Sequence, residues 1–157
     1  MGILKTCFFI GHRDAPEGIF HILTKAVERF IAEFGVETFV VGNYGSFDRM
    51  AARAVSKVKQ GGPEIKLLLL LPCYDSMRKP GISSCFDGSL YPEGMEKVPR
   101  RAAIVRANQY MVRHCDFLIA FDRGQVGNTR GIMRIARARE AEGLLRIENL
   151  AELVENR

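Results

Sequence analysis

Three loops of this sequence combine glycine with polar side chains, and ligand chemistry is expected there before anywhere else. They span residues 11–14, 42–48 and 122–131, and each follows an apolar run and leads into an amphipathic segment. Glycine lets backbone N–H groups approach an anion, and a helix that begins in such a loop adds the partial positive charge of its amino end. The loops therefore predict a site for a phosphate-bearing ligand.

Neither of two common nucleotide-binding patterns is found in these loops. The dinucleotide fingerprint G-x-G-x-x-G is absent, and so is the phosphate loop that ends in G-K-[ST]. We therefore expect neither an NAD site nor a P-loop site. We also expect no bound cofactor and no metal ion.

Polar side chains of the loops have a structural interpretation beside the functional one. His12 could contact phosphate or ribose, yet a lone histidine is often only hydrogen-bonded within the fold. Ser46 and Asp48 could stabilise the first turn of a helix, and Asn128 and Thr129 are common cap residues. Capping and anion binding are compatible here, because both use the same helix end.

The elements that would position the loops alternate between strand and helix. Apolar runs predict strands at 6–10, 38–41, 65–71, 116–121 and 144–147. Apolar residues at helical spacing predict four helices between them, the first capped by Asp14 and ended by Gly35. In the third helix, over 99–114, Asn108 falls on the buried stripe and must be hydrogen-bonded. This alternation predicts an α/β fold.

The segment 72–98 shows no period of either kind. A long loop without secondary structure inside a compact domain is usually functional or disordered. The segment contains Tyr74, Phe86 and Tyr91, a composition unlike that of a flexible linker. We therefore expect an ordered lid over the site, with a mobile insertion as the alternative.

Length and charge set the remaining limits. With 157 residues, the chain is most simply a single domain over 1–157. A net charge of +5 favours anionic partners, although a solvated basic surface explains it equally well. Without a signal peptide or a membrane-length apolar run, we expect a cytoplasmic protein with reduced thiols and no membrane partner. Cys7 and Cys115 should behave as small buried hydrophobes, while Cys73 and Cys85 could be free, paired or modified.

Four motifs resemble the SLOG superfamily, in its uncharacterised bacterial branch related to YspA and YpsA. They are Phe-Phe-Ile-Gly-His-Arg-Asp at 8–14, Gly-Asn-Tyr-Gly-Ser-Phe-Asp-Arg at 42–49, Tyr-Pro-Glu-Gly-Met-Glu-Lys-Val-Pro-Arg-Arg at 91–101, and Asn-Gln-Tyr-Met-Val-Arg-His-Cys-Asp-Phe-Leu-Ile-Ala at 108–120. The resemblance implies a Rossmann-like three-layer fold with a mostly parallel sheet of about five strands flanked by helices. The superfamily includes the LOG phosphoribohydrolases and the DNA-uptake protein DprA, and its members are thought to bind nucleotides or nucleotide-derived signals.

Carried over position by position, the resemblance implies a ligand pocket formed by all three loops, the lid and the third helix. Its residues are Gly11, His12, Arg13, Gly42, Gly45, Ser46, Asp48, Arg49, Tyr91, Pro92, Glu93, Arg101, Asn108, Gly127, Asn128 and Thr129. The sequence departs from relatives at Ala107, where they usually carry arginine. It also has Ile132 where the LOG enzymes carry their catalytic glutamate, so their mechanism cannot be transferred intact.

These patterns leave three functions open. The first is binding of a nucleotide or nucleotide derivative, for example as a sensor, by a protein that could form a homo-oligomer. The second is cleavage of N-glycosidic bonds in nucleotides, with Asp48 and Glu93 as the carboxylates available to stabilise an oxocarbenium-like transition state. The third, less favoured, is nucleic-acid binding, with Arg130, Arg134 and Arg137 along one face of the last main helix.

Overall fold

The computed structural model describes residues 5–73 and 85–155, and within them the chain forms one six-stranded sheet in which every pairing is parallel. The strands are β1 (Thr6–Gly11), β2 (Thr38–Val41), β3 (Lys66–Leu70), β4 (Gly88–Leu90), β5 (Phe117–Phe121) and β6 (Arg146–Asn149). The α-helices are α1 (Phe20–Phe34), α2 (Ser46–Gln60), α3 (Arg100–His114), α4 (Asn128–Ala141) and α5 (Leu150–Glu155).

The strands lie across the sheet in the order β4-β3-β2-β1-β5-β6. From β1 the chain winds outward through β2, β3 and β4, and it then returns to place β5 on the free side of β1. Cys7 of β1 is therefore opposite Phe39 of β2 on one side and Phe117 of β5 on the other. The winding reverses between β1 and β5, and in open α/β sheets ligands bind at the carboxyl ends of the strands at such a point.

A hydrophobic core on each face of the sheet gives the fold three layers. Helices α1, α2 and α5 pack on one face, and α3 and α4 pack on the other. Phe9 contributes to the first core and Phe8 to the second, because successive side chains of a strand point to opposite faces. The expectation of a Rossmann-like three-layer α/β fold is confirmed, with six strands rather than about five.

Helix α1 ends as its sequence predicts but begins later. Gly35 has φ of 70° and donates its N–H to the carbonyl oxygens of Ile31 and Phe30, so the left-handed glycine terminates the helix. The expectation that Asp14 caps this helix is wrong. Pro16 holds an extended backbone, with ψ of 144°, and a short 3-10 turn over Glu17–Ile19 precedes the helix.

The expectation that 72–98 lacks regular structure is wrong for residues 85–98, and 74–84 lie outside the described residues. Strand β4 adds to the edge of the sheet, and a 3-10 turn over Met95–Lys97 follows it. Asp87 anchors this edge: its N–H donates to Leu67 O at 2.8 Å, and its Oδ2 accepts from Leu67 N–H at 2.8 Å. The hydrogen bond from Lys59 lowers the pKa of the Asp87 carboxyl below its ordinary value. Hydrogen bonds of the backbone and of the Asp87 carboxylate hold this stretch in place. Its sequence therefore shows no periodic pattern of apolar residues.

The two cysteines beside apolar runs match the sequence-based expectation. Cys7 and Cys115 are fully buried, and burial raises the pKa of the Cys115 thiol to about 12. Among the helices that the structure describes, none combines the length and apolar character needed to cross a membrane.

Candidate ligand site at the strand ends

A cavity of about 300 Å³ lies at the carboxyl ends of β1 and β5, where the winding of the sheet reverses. We call it the switch-point cavity. It is lined by Ile10, Gly11, His12, Arg13, Asp14, Tyr44, Asp48, Ile104, Val105, Asn108, Gln125, Val126, Gly127, Asn128, Thr129 and Ile132. Its walls thus come from all three glycine loops and from α3.

The glycines of the first two loops lie where the backbone packs closely against other groups. A Cβ atom at Gly11 would lie 2.3 Å from Cγ of Phe47, and one at Gly45 would lie 2.7 Å from Cα of Arg13. These separations are well below van der Waals contact, so the two loops can interlock only without a side chain at either position. This packing accounts for both glycines without an anion, although Gly11 also lines the cavity.

Asp48 fastens the second loop to the start of α2. Its Oδ2 accepts from the Tyr44 N–H at 3.0 Å, and a Cβ at Gly42 would lie 2.9 Å from the same oxygen. Burial raises the pKa of the Asp48 carboxyl from its ordinary 3.8 to about 6. The Tyr44 N–H and the positive charge of Arg49 act in the opposite direction but are outweighed by burial. The Asp48 carboxyl therefore titrates closer to neutral pH than an ordinary aspartate does.

His12 connects the first loop to the third. It is 8 % exposed, and its Nε2 lies 3.0 Å from the N–H of Arg123 and 3.7 Å from Oδ1 of Asp122. Nε2 must accept from the backbone donor, so the ring is neutral in this arrangement with its proton on Nδ1. The structural interpretation of His12 as a hydrogen-bonded histidine thus fits its geometry, while the ring also lines the cavity.

A polar amide supports the start of the third loop. Asn149 accepts from the N–H of Asp122 at 3.0 Å and donates to the carbonyl oxygen of Asp122 at 2.9 Å. Beyond this pair of hydrogen bonds, Gly124 adopts a left-handed φ of 78°, and Val126 is 87 % exposed. The loop is therefore fixed at its first residues and open at its tip.

The amino end of α4 has the features of an anion site. Its N-cap is Gly127, with φ of 153°, and no side chain caps the helix. The first turn carries no acidic residue, and nothing would lie within 4 Å of a Cβ at Gly127. Asn128 and Thr129 are the first helical residues rather than caps, and both line the cavity. N–H groups at such a helix end point toward an anion that the helix dipole also attracts.

Helix α3 closes the cavity with one polar and several apolar side chains. Asn108 is half-buried and lines the cavity beside Ile104 and Val105, so the buried stripe predicted through Ile104 and Asn108 is wrong. Met111 is buried as its spacing predicts, and Ala103, Ala107 and Val112 complete the buried stripe. Since Ala107 is 1 % exposed, the arginine that the resemblance implies at this position could not be accommodated there without repacking.

Other residues that the resemblance implied lie outside the walls of this cavity. Ser46 donates its hydroxyl to Ala15 O at 2.7 Å. Tyr91 packs on the second core and Pro92 is buried, while Glu93 and Arg101 are exposed. Of the two carboxylates considered for catalysis, Asp48 lines the switch-point cavity and Glu93 does not.

A second cavity of about 450 Å³ follows the face of α2. We call it the α2 cavity. It is lined by Gly42, Asn43, Asp48, Arg49, Ala52, Arg53, Ser56, Lys57, Gln60, Cys85 and Phe86. Gly42 and Arg49 of the expected pocket lie here, and Asp48 lines both cavities.

Most of the α2 cavity was not predicted from the sequence, and neither were Tyr44, Gln125 and Val126 of the switch-point cavity. The α2 residues recur three or four positions apart along one helix face, a periodicity visible in the sequence. That signal alone is typical of any solvated helix face. In the described part of the chain, no group of three or more His, Cys, Asp or Glu side chains could hold a metal ion.

The fold is similar to that of DNA processing protein A from Helicobacter pylori, a protein described by its single-stranded DNA binding mode. The two structures match with a TM-score of 0.58 at 17 % sequence identity, over 91 % of this chain. This chain spans 64 % of the length of that protein. At this identity the similarity establishes a common fold. No protein-family model and no curated protein sequence matches the chain.

Proposed function

We propose that this protein binds a nucleotide or nucleotide derivative in the switch-point cavity. The observation that carries the proposal is the uncapped amino end of α4, which opens into a cavity at the reversal point of a parallel sheet. Both features are general properties of phosphate-binding sites in α/β proteins. Membership of the SLOG superfamily, in the branch related to YspA and YpsA, is part of the same proposal and rests on the four sequence motifs.

The cavity offers a suitable contact for the phosphate, the ribose and the base of a nucleotide. The phosphate would accept from the N–H groups of Asn128 and Thr129, and Arg13 of the first loop adds a positive charge to the same cavity. The ribose hydroxyls would donate to the carboxylate of Asp48, as acidic residues do in other nucleotide sites. The base would pack on the apolar wall of α3 and hydrogen-bond to Asn108. The arrangement favours a small phosphorylated ligand over an apolar one.

The substitution Asn128→Asp tests the proposal by separating ligand binding from helix stability. A carboxylate in the first turn stabilises the helix by about 0.3 to 1 kcal/mol, because it complements the helix dipole. The same carboxylate would repel a phosphate bound to that turn. We therefore expect a melting temperature that is unchanged or higher and an affinity for nucleoside monophosphates that falls at least tenfold, measured by calorimetry.

The control is Lys25→Gln, which changes the net charge by the same amount at an exposed position of α1. It should leave nucleotide affinity unchanged. If no nucleoside monophosphate binds to the wild-type protein, or if both variants weaken binding equally, the α4 site is not the site of binding.

A second candidate function is N-glycosidic cleavage, favoured by the state of Asp48. A carboxyl group with a pKa near 6 in a cavity can donate or accept a proton at neutral pH, as general acid–base catalysis requires. We expect release of free base from a nucleoside monophosphate, detected by chromatography, and loss of that release in Asp48→Asn. Base release that persists in the variant would exclude Asp48 from the reaction.

Single-stranded nucleic acid is a third candidate ligand, and its support is the binding mode named for the structural neighbour. On α4, Arg130 and Arg134 are exposed, whereas Arg137 is paired with Glu140 at 3.0 Å and with Glu152 at 3.6 Å. The basic face is therefore smaller than its sequence suggests. Binding driven by phosphate contacts must weaken steeply with salt, so a mobility assay at two salt concentrations tests it.

A further inference from the structure

We propose that the α2 cavity is a second subsite of the same ligand site, and that the ligand is a free 5′-phosphorylated dinucleotide rather than a mononucleotide. This proposal rests on the proposed function, because it assigns the first nucleotide to the switch-point cavity. The two cavities share one residue, Asp48, and its neighbour Tyr44 lines the switch-point cavity while Gly42 lines the other. A ligand that reaches Asp48 from the α4 side is therefore at the edge of the α2 cavity.

The charges along the two cavities alternate in sign. The amino end of α4 is positive, Asp48 lies between the cavities, and Arg49 and Lys57 are exposed on the wall of the α2 cavity. In a dinucleotide, a 5′-phosphate, a ribose and a 3′-phosphate follow one another in the order that would match these charges. The ribose hydroxyls can donate to the carboxylate, whereas a phosphate at that position would be repelled above pH 6.

Arg53, a third cation of the α2 cavity, already has partners within the protein. Arg53 donates to both carboxylate oxygens of Glu17, at 3.0 and 3.2 Å, and its guanidinium lies 4.6 Å from the centre of the Phe20 ring. Lys57, in the last turn of α2, has its Nζ 5.7 Å from the centre of the same ring but no carboxylate partner among the described residues. The positive charge available to a bridging phosphate is therefore that of Arg49, in the first turn of α2 beside Asp48, and that of Lys57.

The far part of the cavity suits a nucleobase. Phe86 gives the wall an aromatic side chain on which a base can stack, and Gln60 provides an amide that can both donate and accept. Ser56 is a further indication, because its Oγ is buried and has no hydrogen-bond partner among the described residues. Such unsatisfied groups are rare in folded proteins, and a bound ligand is one way in which their partner is supplied.

Calorimetry with AMP and with the dinucleotide pApA, on wild-type protein and two charge-reversal variants, tests the proposal. If adenine is not the preferred base, the corresponding mononucleotides and dinucleotides with other bases are measured in the same way. Lys57→Glu reverses a charge in the α2 cavity, and Lys25→Glu makes the same change on the exposed surface of α1. We expect pApA to bind wild type at least tenfold more tightly than AMP. Lys57→Glu should remove most of this gain and leave AMP affinity unchanged, while Lys25→Glu should preserve it.

Each other outcome has a separate meaning. If no mononucleotide binds, the proposed function itself fails. If AMP binds and pApA binds no more tightly, or if both variants reduce pApA binding equally, the second subsite does not exist. The last ligand to be measured is an oligonucleotide of ten nucleotides. If Lys57→Glu weakens binding of this oligonucleotide but not of pApA, the α2 cavity binds a nucleic-acid strand, and the proposal of a free dinucleotide is wrong. Should Lys57→Glu lower the melting temperature, Lys57→Gln replaces it.

Discussion

The amino ends of α2 and α4 follow glycine loops of similar composition, yet they are built differently. At α2 the protein itself occupies the helix end: Asp48 lies in the first turn, and the Ser46 N–H donates to Arg13 O at 2.9 Å. At α4 the first turn has no acidic residue, and the loop before it is open around Gly127. A glycine loop before a helix can therefore serve close packing or ligand access, and composition does not distinguish the two.

The largest expected effect concerns the packing of Gly11 against Phe47 at the start of α2. In Gly11→Ala the new Cβ would overlap the buried ring of Phe47, so we expect a loss of about 3 kcal/mol or more in the free energy of unfolding. Gly131→Ala is the matched control, because it lies in open space inside α4 and should stabilise the protein by about 0.5 to 1 kcal/mol. Urea unfolding measures both. Equal stability in the two variants would show that Gly11 is not tightly packed against Phe47.

The second prediction uses pH to test whether the Asp48 carboxyl in the first turn of α2 is buried as the structure shows. Burial raises the pKa of Asp48 in the folded protein from 3.8 to about 6, so the folded state binds this proton more tightly than the unfolded state. The contribution of Asp48 to stability therefore increases as the pH falls from above 6 toward 4, by on the order of 1 kcal/mol per unit of pKa shift. Asp48→Asn should lose this dependence, because its amide does not titrate.

Parallel urea titrations of wild type and Asp48→Asn between pH 4 and 8, in buffers of constant ionic strength, isolate this residue. The difference between their unfolding free energies should change within that window, in favour of wild type at the lower pH. A constant difference would mean that Asp48 titrates at an ordinary carboxyl pKa.

The third prediction concerns the open cavity in front of α4. Asn108→Ala should weaken nucleotide binding roughly tenfold, because a hydrogen bond to the ligand is worth about 1 kcal/mol or slightly more. Asn108 is half-buried on the cavity wall, so the melting temperature without ligand should barely change. The opposite result, a lower melting temperature with unchanged affinity, would make Asn108 a structural link between helix and loop.

The smallest expected effect concerns Ser46, at the start of α2. Its hydroxyl donates to Ala15 O, so Ser46→Ala should reduce the free energy of unfolding by about 1 kcal/mol. Nucleotide affinity should stay the same, because the residue lies outside the walls of both cavities. Weakened binding at unchanged stability would return Ser46 to the ligand site and make the two helix ends functionally alike.

The sequence predicted the alternation of strands and helices well, because buried parallel strands leave continuous apolar runs and amphipathic helices leave apolar residues at helical spacing. Helix α1, with Gly35 at its end, is an example. Strand β4 left no such signal: it is a short edge strand over Gly88–Leu90, held by backbone bonds and by Asp87. Periodicity reports burial, so an exposed edge strand is invisible to it.

For the candidate site, the sequence located the loops but not their separate roles. The contact that requires Gly11 involves Phe47, which lies beyond α1 and β2 in the chain, and Phe86 and Lys57 both line the α2 cavity. Such juxtapositions arise only when the sheet is assembled. The resemblance to relatives placed Tyr91, Glu93 and Arg101 near the ligand as well, and the structure puts none of them on the walls of either cavity.

The link from His12 through Arg123 and Asp122 to Asn149 has a kinetic consequence. Its first hydrogen bond joins residues 111 positions apart, and its last partner lies at the end of β6. Contacts of such long range carry a large loop-closure cost and tend to form after the rest of a domain has condensed. We therefore expect the first loop to be fixed late in folding. Asn149→Ala should then accelerate unfolding while leaving the refolding rate nearly unchanged, as seen in stopped-flow measurements.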